Sequence, residues 1–228
     1  MTWRRPYRVL PEPPLNCNIL ENERKLKIEL ANALSHGIGI ILILSFSPLL
    51  FLKAYDSGIP LLTGAVSFYV FGLLMVFTFS TLYHATENPV AKSVLRIFDH
   101  ISIFLLIGGT YLPLVLLHAD PVRARWLLIV QWIVIVAGVI NKALFTGRFR
   151  LLSSLVYIGL GVMVLAMGEK FWSGLPPLSL YFLVGGGLMY LFGVLFYQIR
   201  TWQYNHFIWH LFVLAAAILH FLSVWFAF

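Results

Sequence analysis

Four polar side chains with metal-binding or catalytic chemistry occur as two pairs in an otherwise apolar sequence. Ser80 and His84 lie four residues apart at the end of one apolar segment, and His206 and His210 lie four apart at the start of another. Residues four apart share a helix face, so each pair can point at one inward position. Two imidazole pairs and a nearby carboxylate, Asp99, predict a metal site, with Zn²⁺ as the expected ion.

The elements that must position these side chains are membrane-spanning helices. A spanning helix needs about 20 mostly apolar residues, and seven segments qualify: Leu30–Leu52, Leu61–Tyr83, Ile97–Leu117, Trp126–Phe145, Leu151–Gly168, Leu178–Tyr197 and Phe207–Phe228. The predicted fold class is therefore an all-α integral membrane protein, a seven-helix bundle. Residues 1–22 are predicted to form a flexible cytoplasmic tail, residues 23–29 a juxtamembrane helix, and residues 30–228 the transmembrane domain.

The composition supports placement in a bilayer. Of the 228 residues, 60% are hydrophobic and only 11% are charged, with a mean hydropathy of +0.88. Soluble domains carry about a quarter charged residues, so this chain cannot cover a water-facing surface. The net charge of +7 needs no nucleic-acid partner to explain it. The single cysteine, Cys17, rules out an intrachain disulfide and cysteine-based zinc modules.

The orientation follows from the basic residues near the span ends. With the N-terminus inside, nine lie on the cytoplasmic side (Arg24, Lys25, Lys27, Lys92, Arg96, Lys142, Arg148, Arg150 and Arg200), against four outside (Lys53, Arg123, Arg125 and Lys170). This count predicts a cytoplasmic N-terminus and an extracytoplasmic C-terminus.

The same topology brings the candidate ligands to one depth. His84 ends span two, Asp99 begins span three, and His206 and His210 begin span seven, so all four fall on the cytoplasmic side. Ionisable groups inside membrane helices are costly and mark function by default. The alternative is a set of buried polar contacts that lock three helices together. The agreement in depth favours a metal.

The residues around the predicted metal receive distinct roles. His84, His206 and His210 are the three ligands, which leaves a fourth coordination position open. The motif HFIWH has the spacing of the zinc-protease motif HExxH but lacks its glutamate, so a general base must come from elsewhere. Asp99 is the candidate base, and Ser80 would hydrogen-bond at the open position or hold Asp99.

Three further polar residues carry weaker predictions. His36, in span one, is either a neighbour of the ligands or a packing residue, and both interpretations stay open. His100 follows Asp99, so the helix turns it by about 100° towards a neighbouring helix. Glu29 is interpreted as a solvated residue at the mouth of span one, with a Lys25 ion pair or closure of the site as alternatives.

Four segments carry a family resemblance. They are ELANALSHGIG in span one, STLYHA after span two, RIFDHISIFLLIGGTYLP through span three and NHFIWHLFVLAAAILHF in span seven. In combination they resemble the hemolysin III family, the bacterial branch of the progestin and adipoQ receptor (PAQR) membrane proteins, which are also grouped with alkaline ceramidases. The spacing fits the chain from about Glu29 onward.

The resemblance implies a seven-helix bundle in the bacterial inner membrane, with a zinc ion on the cytoplasmic side. It places the ligands on His84, His206 and His210, and the positions beside the open coordination site on Ser80 and Asp99. Related ceramidases hydrolyse a lipid amide, and the internal cavity of the animal receptors is thought to accept a fatty acyl chain. The resemblance also links the bacterial members to membrane-lipid homeostasis.

Three functions compete at this point. The first is a zinc-dependent hydrolase of a lipid amide or ester, with a lipid or acyl chain in the bundle interior. The second is a non-catalytic sensor or regulator of membrane state with structural zinc, whose fourth ligand would be Asp99 or Ser80. The third is a cytolytic pore, which is disfavoured because the external halves of the spans are almost wholly apolar. The sequence defines neither substrate nor oligomeric state, and it leaves open another imidazole-compatible metal.

Overall fold

A computed structural model describes residues 15–199 and 201–228, and side chains from residue 19 onward. Over these residues the chain forms eight α-helices and one 3₁₀-helix, with no strand. The α-helices are α1 Leu15–Asp56, α2 Leu62–Ala85, α3 Pro89–His118, α4 Pro121–Phe145, α5 Arg150–Val162, α6 Glu169–Gly174, α7 Pro177–Gln198 and α8 Asn205–Trp225; the 3₁₀-helix, Met163–Met167, continues α5.

Seven of these elements are long and apolar enough to cross a membrane, which confirms the predicted fold class. They are α1 to α4, α5 together with its 3₁₀ extension, α7 and α8. Two of the connections are tight because the next helix begins with a capped proline turn. Asn88 Oδ1 accepts from the backbone N–H groups of Val90 and Ala91, ahead of α3, and Asp120 Oδ1 does the same ahead of α4.

The first helix differs from the boundaries predicted for it. A single helix runs from Leu15 to Asp56, so residues 15–22 are helical and residues 23–29 continue directly into span one. The segment from Asn16 to Ser47 contains no proline, and its first glycine is Gly37, so nothing in the sequence interrupts the helix between tail and membrane. The predicted tail residues 1–14, and Arg200 of the charge count, lie outside the described residues.

The fifth span changes its helical form under the influence of one side chain from α3. The Tyr111 hydroxyl lies 2.7 Å from the carbonyl oxygen of Leu160 and 2.8 Å from that of Gly161, and it accepts from the N–H of Val164 at 2.7 Å. It therefore satisfies backbone groups that a continuous α-helix would pair internally. The chain can narrow to a 3₁₀-helix here without orphaned polar groups.

Helix packing brings α1, α2, α3 and α8 together around the predicted site. α1 packs against both α2 and α8, and α2 packs closely along α3. A Cβ at Gly72 would lie 2.9 Å from Leu106 Cα, and one at Gly109 would lie 3.0 Å from Tyr69 Cα. The small residues thus allow two backbones to meet, which is how membrane helices associate without a hydrophobic driving force.

Candidate metal centre

Three histidines from two helices converge at one end of the bundle. His84 lies in the last turn of α2, and His206 and His210 lie in the first turns of α8. His206 Nε2 is 3.2 Å from His84 Nε2 and 3.1 Å from His210 Nε2. One ligand atom from each residue lies within 4.8 Å of the others, so the group could hold a metal ion. The predicted association of these histidines is confirmed.

Two of the spacings among the three nitrogens are close to those of tetrahedral coordination. Zinc–nitrogen bonds of about 2.0–2.1 Å separate two ligand atoms of a tetrahedron by about 3.3 Å, close to the 3.1 and 3.2 Å observed. Three uncharged imidazoles are a donor set suited to zinc, and also to copper, iron or nickel. The side chains fit such an ion.

The first helix supplies the groups that orient the ligand rings. His84 Nδ1 lies 2.8 Å from Glu29 Oε2, and His210 Nδ1 lies 3.3 Å from Ser35 Oγ. Asn32 Nδ2 is also 3.5 Å from His84 Nδ1. When Nε2 faces a metal, Nδ1 carries the proton and donates it, and a carboxylate or hydroxyl oxygen accepts. Glu29 and Ser35 are placed to fix the tautomers that metal binding requires.

The solvated interpretation of Glu29 needs correction, because its side chain is 38% exposed but its carboxylate is paired. Its carboxylate contacts His84 and also Lys92 Nζ, at 3.2 Å, whereas Lys25 pairs with Glu21 at 2.7 Å. The long helix α1 is the physical reason, because it continues through Glu29 and holds it beside the last turn of α2. A signal was present in the sequence: Glu29, Asn32 and His36 are spaced three and four apart and share a helix face.

His36 lies against the metal group without joining it. Its ring is stacked on that of His210, with centroids 3.8 Å apart, and meets Phe77 edge-on at 5.0 Å. It is 3% exposed, and among the described residues neither ring nitrogen has a hydrogen-bond partner. Both interpretations from the sequence contain part of this result, because His36 packs and also neighbours a candidate ligand.

Asp99 and Ser80 line the cavity that contains the three histidines, and Asp99 is separate from the histidine group. The cavity has a volume of about 820 Å³. Asp99 does not belong to the set whose ligand atoms lie within 4.8 Å of one another. His100 is likewise outside that set, as predicted; its Nδ1 donates to the carbonyl oxygen of Arg96 at 2.7 Å. Asp99 Oδ2 lies 3.6 Å from the same ring nitrogen.

The cavity extends from the histidines deep into the bundle. Apolar side chains from α3, α5, the 3₁₀-helix and α7 form much of its wall, including Ile107, Leu114, Val164 and Leu191. His220, which received no role from the sequence, lines the deep part and donates to the carbonyl oxygen of Leu183 at 3.2 Å. A polar end followed by an apolar chamber is the shape expected for an amphiphilic ligand.

The fold and this end of the bundle define a class: a seven-helix membrane protein with a buried group of three histidines that could hold a metal. Comparison with known sequences then identifies the family of the chain. The profile of the family described as "Haemolysin-III related" matches residues 24–221. The chain belongs to this family, which confirms the resemblance seen in its four segments.

Individual relatives agree with the family assignment. The chain is 33% identical to "Hemolysin-3" of Bacillus cereus over 201 residues, covering 88% of this chain and 92% of the relative. It is 34% identical to "Hemolysin-3 homolog" of Bacillus subtilis (strain 168) over 203 residues, covering 88% and 94%. A more distant match is "Monocyte to macrophage differentiation factor" of Homo sapiens, 29% identical over 172 residues, covering 69% and 67%. No solved structure matches the chain.

Proposed function

We propose that this protein is a zinc-dependent hydrolase of the bacterial inner membrane that cleaves an amide or ester bond of a membrane lipid, and so serves membrane-lipid homeostasis. The observation that carries the proposal is that the three-histidine group lines a cavity of about 820 Å³. In this group, His206 Nε2 lies 3.2 Å from His84 Nε2 and 3.1 Å from His210 Nε2. The candidate metal group and a space large enough for a lipid chain are therefore parts of one cavity.

His84, His206 and His210 would hold the ion, and Glu29 and Ser35 would keep the rings of His84 and His210 in the binding tautomer. When bound, zinc supplies Lewis-acid chemistry: it polarises a carbonyl group and makes water a stronger nucleophile at neutral pH. Three protein ligands leave room for that chemistry, as in other catalytic zinc sites.

Asp99 is the proposed proton acceptor. It lines the cavity without belonging to the ligand group, which is the arrangement expected of a general base and not of a fourth ligand. Ser80, 1% exposed on the preceding helix, is proposed to donate a hydrogen bond to the reacting oxygen or to Asp99. The apolar wall would hold the acyl chain and exclude bulk water.

The proposed orientation places the metal group on the cytoplasmic side. Lys92, Arg96, Arg148 and Arg150 line the same cavity or pair with a residue beside the histidines, so the basic residues counted as cytoplasmic gather at this end. An excess of Lys and Arg marks the cytoplasmic side of membrane proteins. Topology mapping with a reporter fused after Phe228 tests this, since the proposal requires an extracytoplasmic C-terminus.

Elemental analysis of detergent-purified protein is the first test. We expect about one zinc per chain, lost in His84→Ala and in His210→Ala. His118→Ala is the matched control, because His118 donates to the carbonyl oxygen of Ala227 in a different part of the bundle. Well-folded wild type without stoichiometric metal would contradict the zinc site, and the hydrolase proposal would fall with it.

Asp99→Asn tests the catalytic step separately. We expect this variant to retain zinc and to lose about 10²–10⁴-fold in turnover, the usual contribution of general acid–base catalysis. The assay follows release of fatty acid from a panel of lipid amides and esters in mixed micelles. Undiminished turnover in Asp99→Asn would remove the assigned role, whatever the zinc content.

A regulator with structural zinc is the second candidate. The observation that favours it is that the ligands come from α2 and α8, so an ion would cross-link two helices that both pack on α1. Structural zinc normally has four protein ligands, and Asp99 or Ser80 would have to move in to complete the set. In that case Asp99→Asn or Ser80→Ala would weaken zinc binding as well.

A further inference from the structure

Four basic side chains gather at the histidine end of the cavity. Arg96 comes from α3, Lys142 from the last turn of α4, Arg148 from the α4–α5 turn and Arg150 from the first turn of α5. All four line the cavity that also contains His84, Asp99, His206 and His210. Lys142 is only 3% exposed. We call these four residues the basic cluster.

The charge of the basic cluster is not neutralised by carboxylates. Within residues 19–199 and 201–228, no Asp or Glu oxygen lies within 4.0 Å of any of the four cations, whereas nearby Lys92 does pair with Glu29. Arg150 Nε is buried and has no hydrogen-bond partner among these described residues. A buried donor without a partner is costly, and buried charges are normally paired.

Specific contacts hold these cations in place. The Arg150 guanidinium lies 3.8 Å from the centroid of the Tyr197 ring, and Lys142 Nζ donates to Ser153 Oγ. The Arg96 guanidinium lies directly against Gly147, so a Cβ there would collide with it, and Gly147 has a φ of +86°. Arg96, Lys142 and Arg150 are therefore packed beside the cavity and are not free to follow lipid headgroups at the outer surface of the bundle, whereas Arg148 is exposed at its edge.

We infer that the basic cluster is a binding site for the anionic phosphate headgroup of a membrane lipid, whose acyl chain occupies the apolar chamber. This inference deepens the proposed function and rests on it for the identification of that lipid as the substrate; the binding site itself does not depend on catalysis. Arg and Lys are the side chains that bind phosphate oxygens, and Arg does so through two parallel hydrogen bonds. The substrate class is thereby narrowed from lipids in general to phospholipids.

The test measures binding of dodecyl phosphate to zinc-loaded full-length protein in a neutral maltoside detergent. The thermal midpoint is recorded against probe concentration, since a ligand of the folded state raises it by mass action. Inorganic phosphate and dodecyl trimethylammonium are run in parallel. We expect saturable stabilisation by dodecyl phosphate, a much weaker effect of inorganic phosphate, and none from the cationic amphiphile.

Two matched double variants locate the effect. Arg96→Gln with Arg150→Gln removes two cations from the basic cluster, and we expect its apparent Kd for dodecyl phosphate to rise about tenfold or more. Arg123→Gln with Arg125→Gln removes the same charge from exposed positions of α4 that do not line the cavity, and we expect its Kd to be unchanged. If the first pair fails to fold, the exposed Arg148→Gln replaces it, with a smaller rise expected.

Each other outcome overturns the inference. Equal losses in both double variants would mean general attraction of the micelle to a basic protein. An unchanged Kd in the folded cluster variant would remove the site. Inorganic phosphate acting as strongly as dodecyl phosphate would mean a free-anion site without a lipid. Zinc content is measured in every sample, so that failure of the metal centre is recognised independently of failure of phosphate binding.

Discussion

The contact between Glu29 and His84 leads to the most precise prediction about the metal centre. Glu29 Oε2 lies 2.8 Å from His84 Nδ1 and 3.2 Å from Lys92 Nζ, and the Glu29 side chain is 38% exposed. Loss of a group that orients a metal-binding histidine typically weakens metal affinity 10–100-fold. Part of the contact faces water, which screens the charge, so the conservative substitution should fall at the lower end of that range.

Two substitutions at Glu29 separate the hydrogen bond from the charge. Glu29→Gln keeps an oxygen that can accept from His84 Nδ1, and we expect zinc affinity to fall about tenfold, or about 1.4 kcal/mol. Glu29→Ala removes the acceptor as well and leaves Lys92 beside the imidazole, so we expect a loss approaching 100-fold, about 2.8 kcal/mol. Both variants should still bind one zinc at saturation.

The assay is competition for zinc between detergent-purified protein and a chromophoric chelator of known affinity. Glu23→Gln and Glu23→Ala are the matched controls, since they change the same charge at an exposed position of the same helix. A Glu29→Ala affinity within about threefold of wild type would refute the positioning role, because the expected loss is at least tenfold. Complete loss of stoichiometric zinc, as expected for His84→Ala, would instead make Glu29 a ligand.

Two further predictions concern the scaffold that holds the site. Gly72→Leu should destabilise the protein by about 1–3 kcal/mol through overpacking, because a Cβ at residue 72 would lie 2.9 Å from Leu106 Cα. Gly64→Leu is the control, since a Cβ at residue 64 would have nothing within 4 Å and should not destabilise the fold. Thermal unfolding of the two variants tests this, and equal midpoints would contradict the close packing. The backbone N–H of Arg123 donates to the Asp120 carboxylate and lowers the pKa of this carboxyl below its ordinary value of 3.8. The ionised carboxylate therefore stabilises the folded state fully above pH 3.8, and this stabilisation is lost as the pH falls through the lower pKa of the folded state. The melting temperature of wild type should therefore fall more between pH 5 and pH 3 than that of Asp120→Asn, and parallel curves would count against the capping contact.

The fold was predictable because the bilayer restricts it so strongly. Each span must be apolar over about 20 residues and satisfy its own backbone, so composition alone marks the seven segments. The ligand group was predictable for a related reason: His206 and His210 share a helix face, and His84 ends a span of the opposite direction. Both the helix face and the membrane depth of a residue can be inferred from its position in the sequence.

What the sequence did not reveal depends on contacts between distant residues. Glu29 contacts His84, which is 55 positions away in the sequence, and Tyr111 contacts Leu160, which is 49 positions away. The spacing of Glu29, Asn32 and His36 marks a polar helix face, but no local pattern identifies the distant residue that each side chain meets, or tells a regular span from one that narrows to a 3₁₀-helix. Both outcomes follow from how far each helix extends and which neighbour it meets, and these are properties of the packed bundle.

The proposed metal site and the proposed lipid site use side chains from different helices, so we expect that metal binding and lipid binding can be altered independently. The candidate ligands belong to α2 and α8 and contact α1, whereas the basic cluster belongs to α3, α4, the α4–α5 turn and α5. In the part of the chain that the structure describes, no ion pair joins the two groups; the Glu29–Lys92 pair stays on the metal side. Effects of sites that share no contact partner are usually additive. Glu29→Ala combined with Arg148→Gln should therefore show the zinc affinity of the first variant and the dodecyl phosphate affinity of the second. A larger loss in either affinity would mean that metal and lipid are coupled through Asp99, the carboxylate that lines the cavity between them.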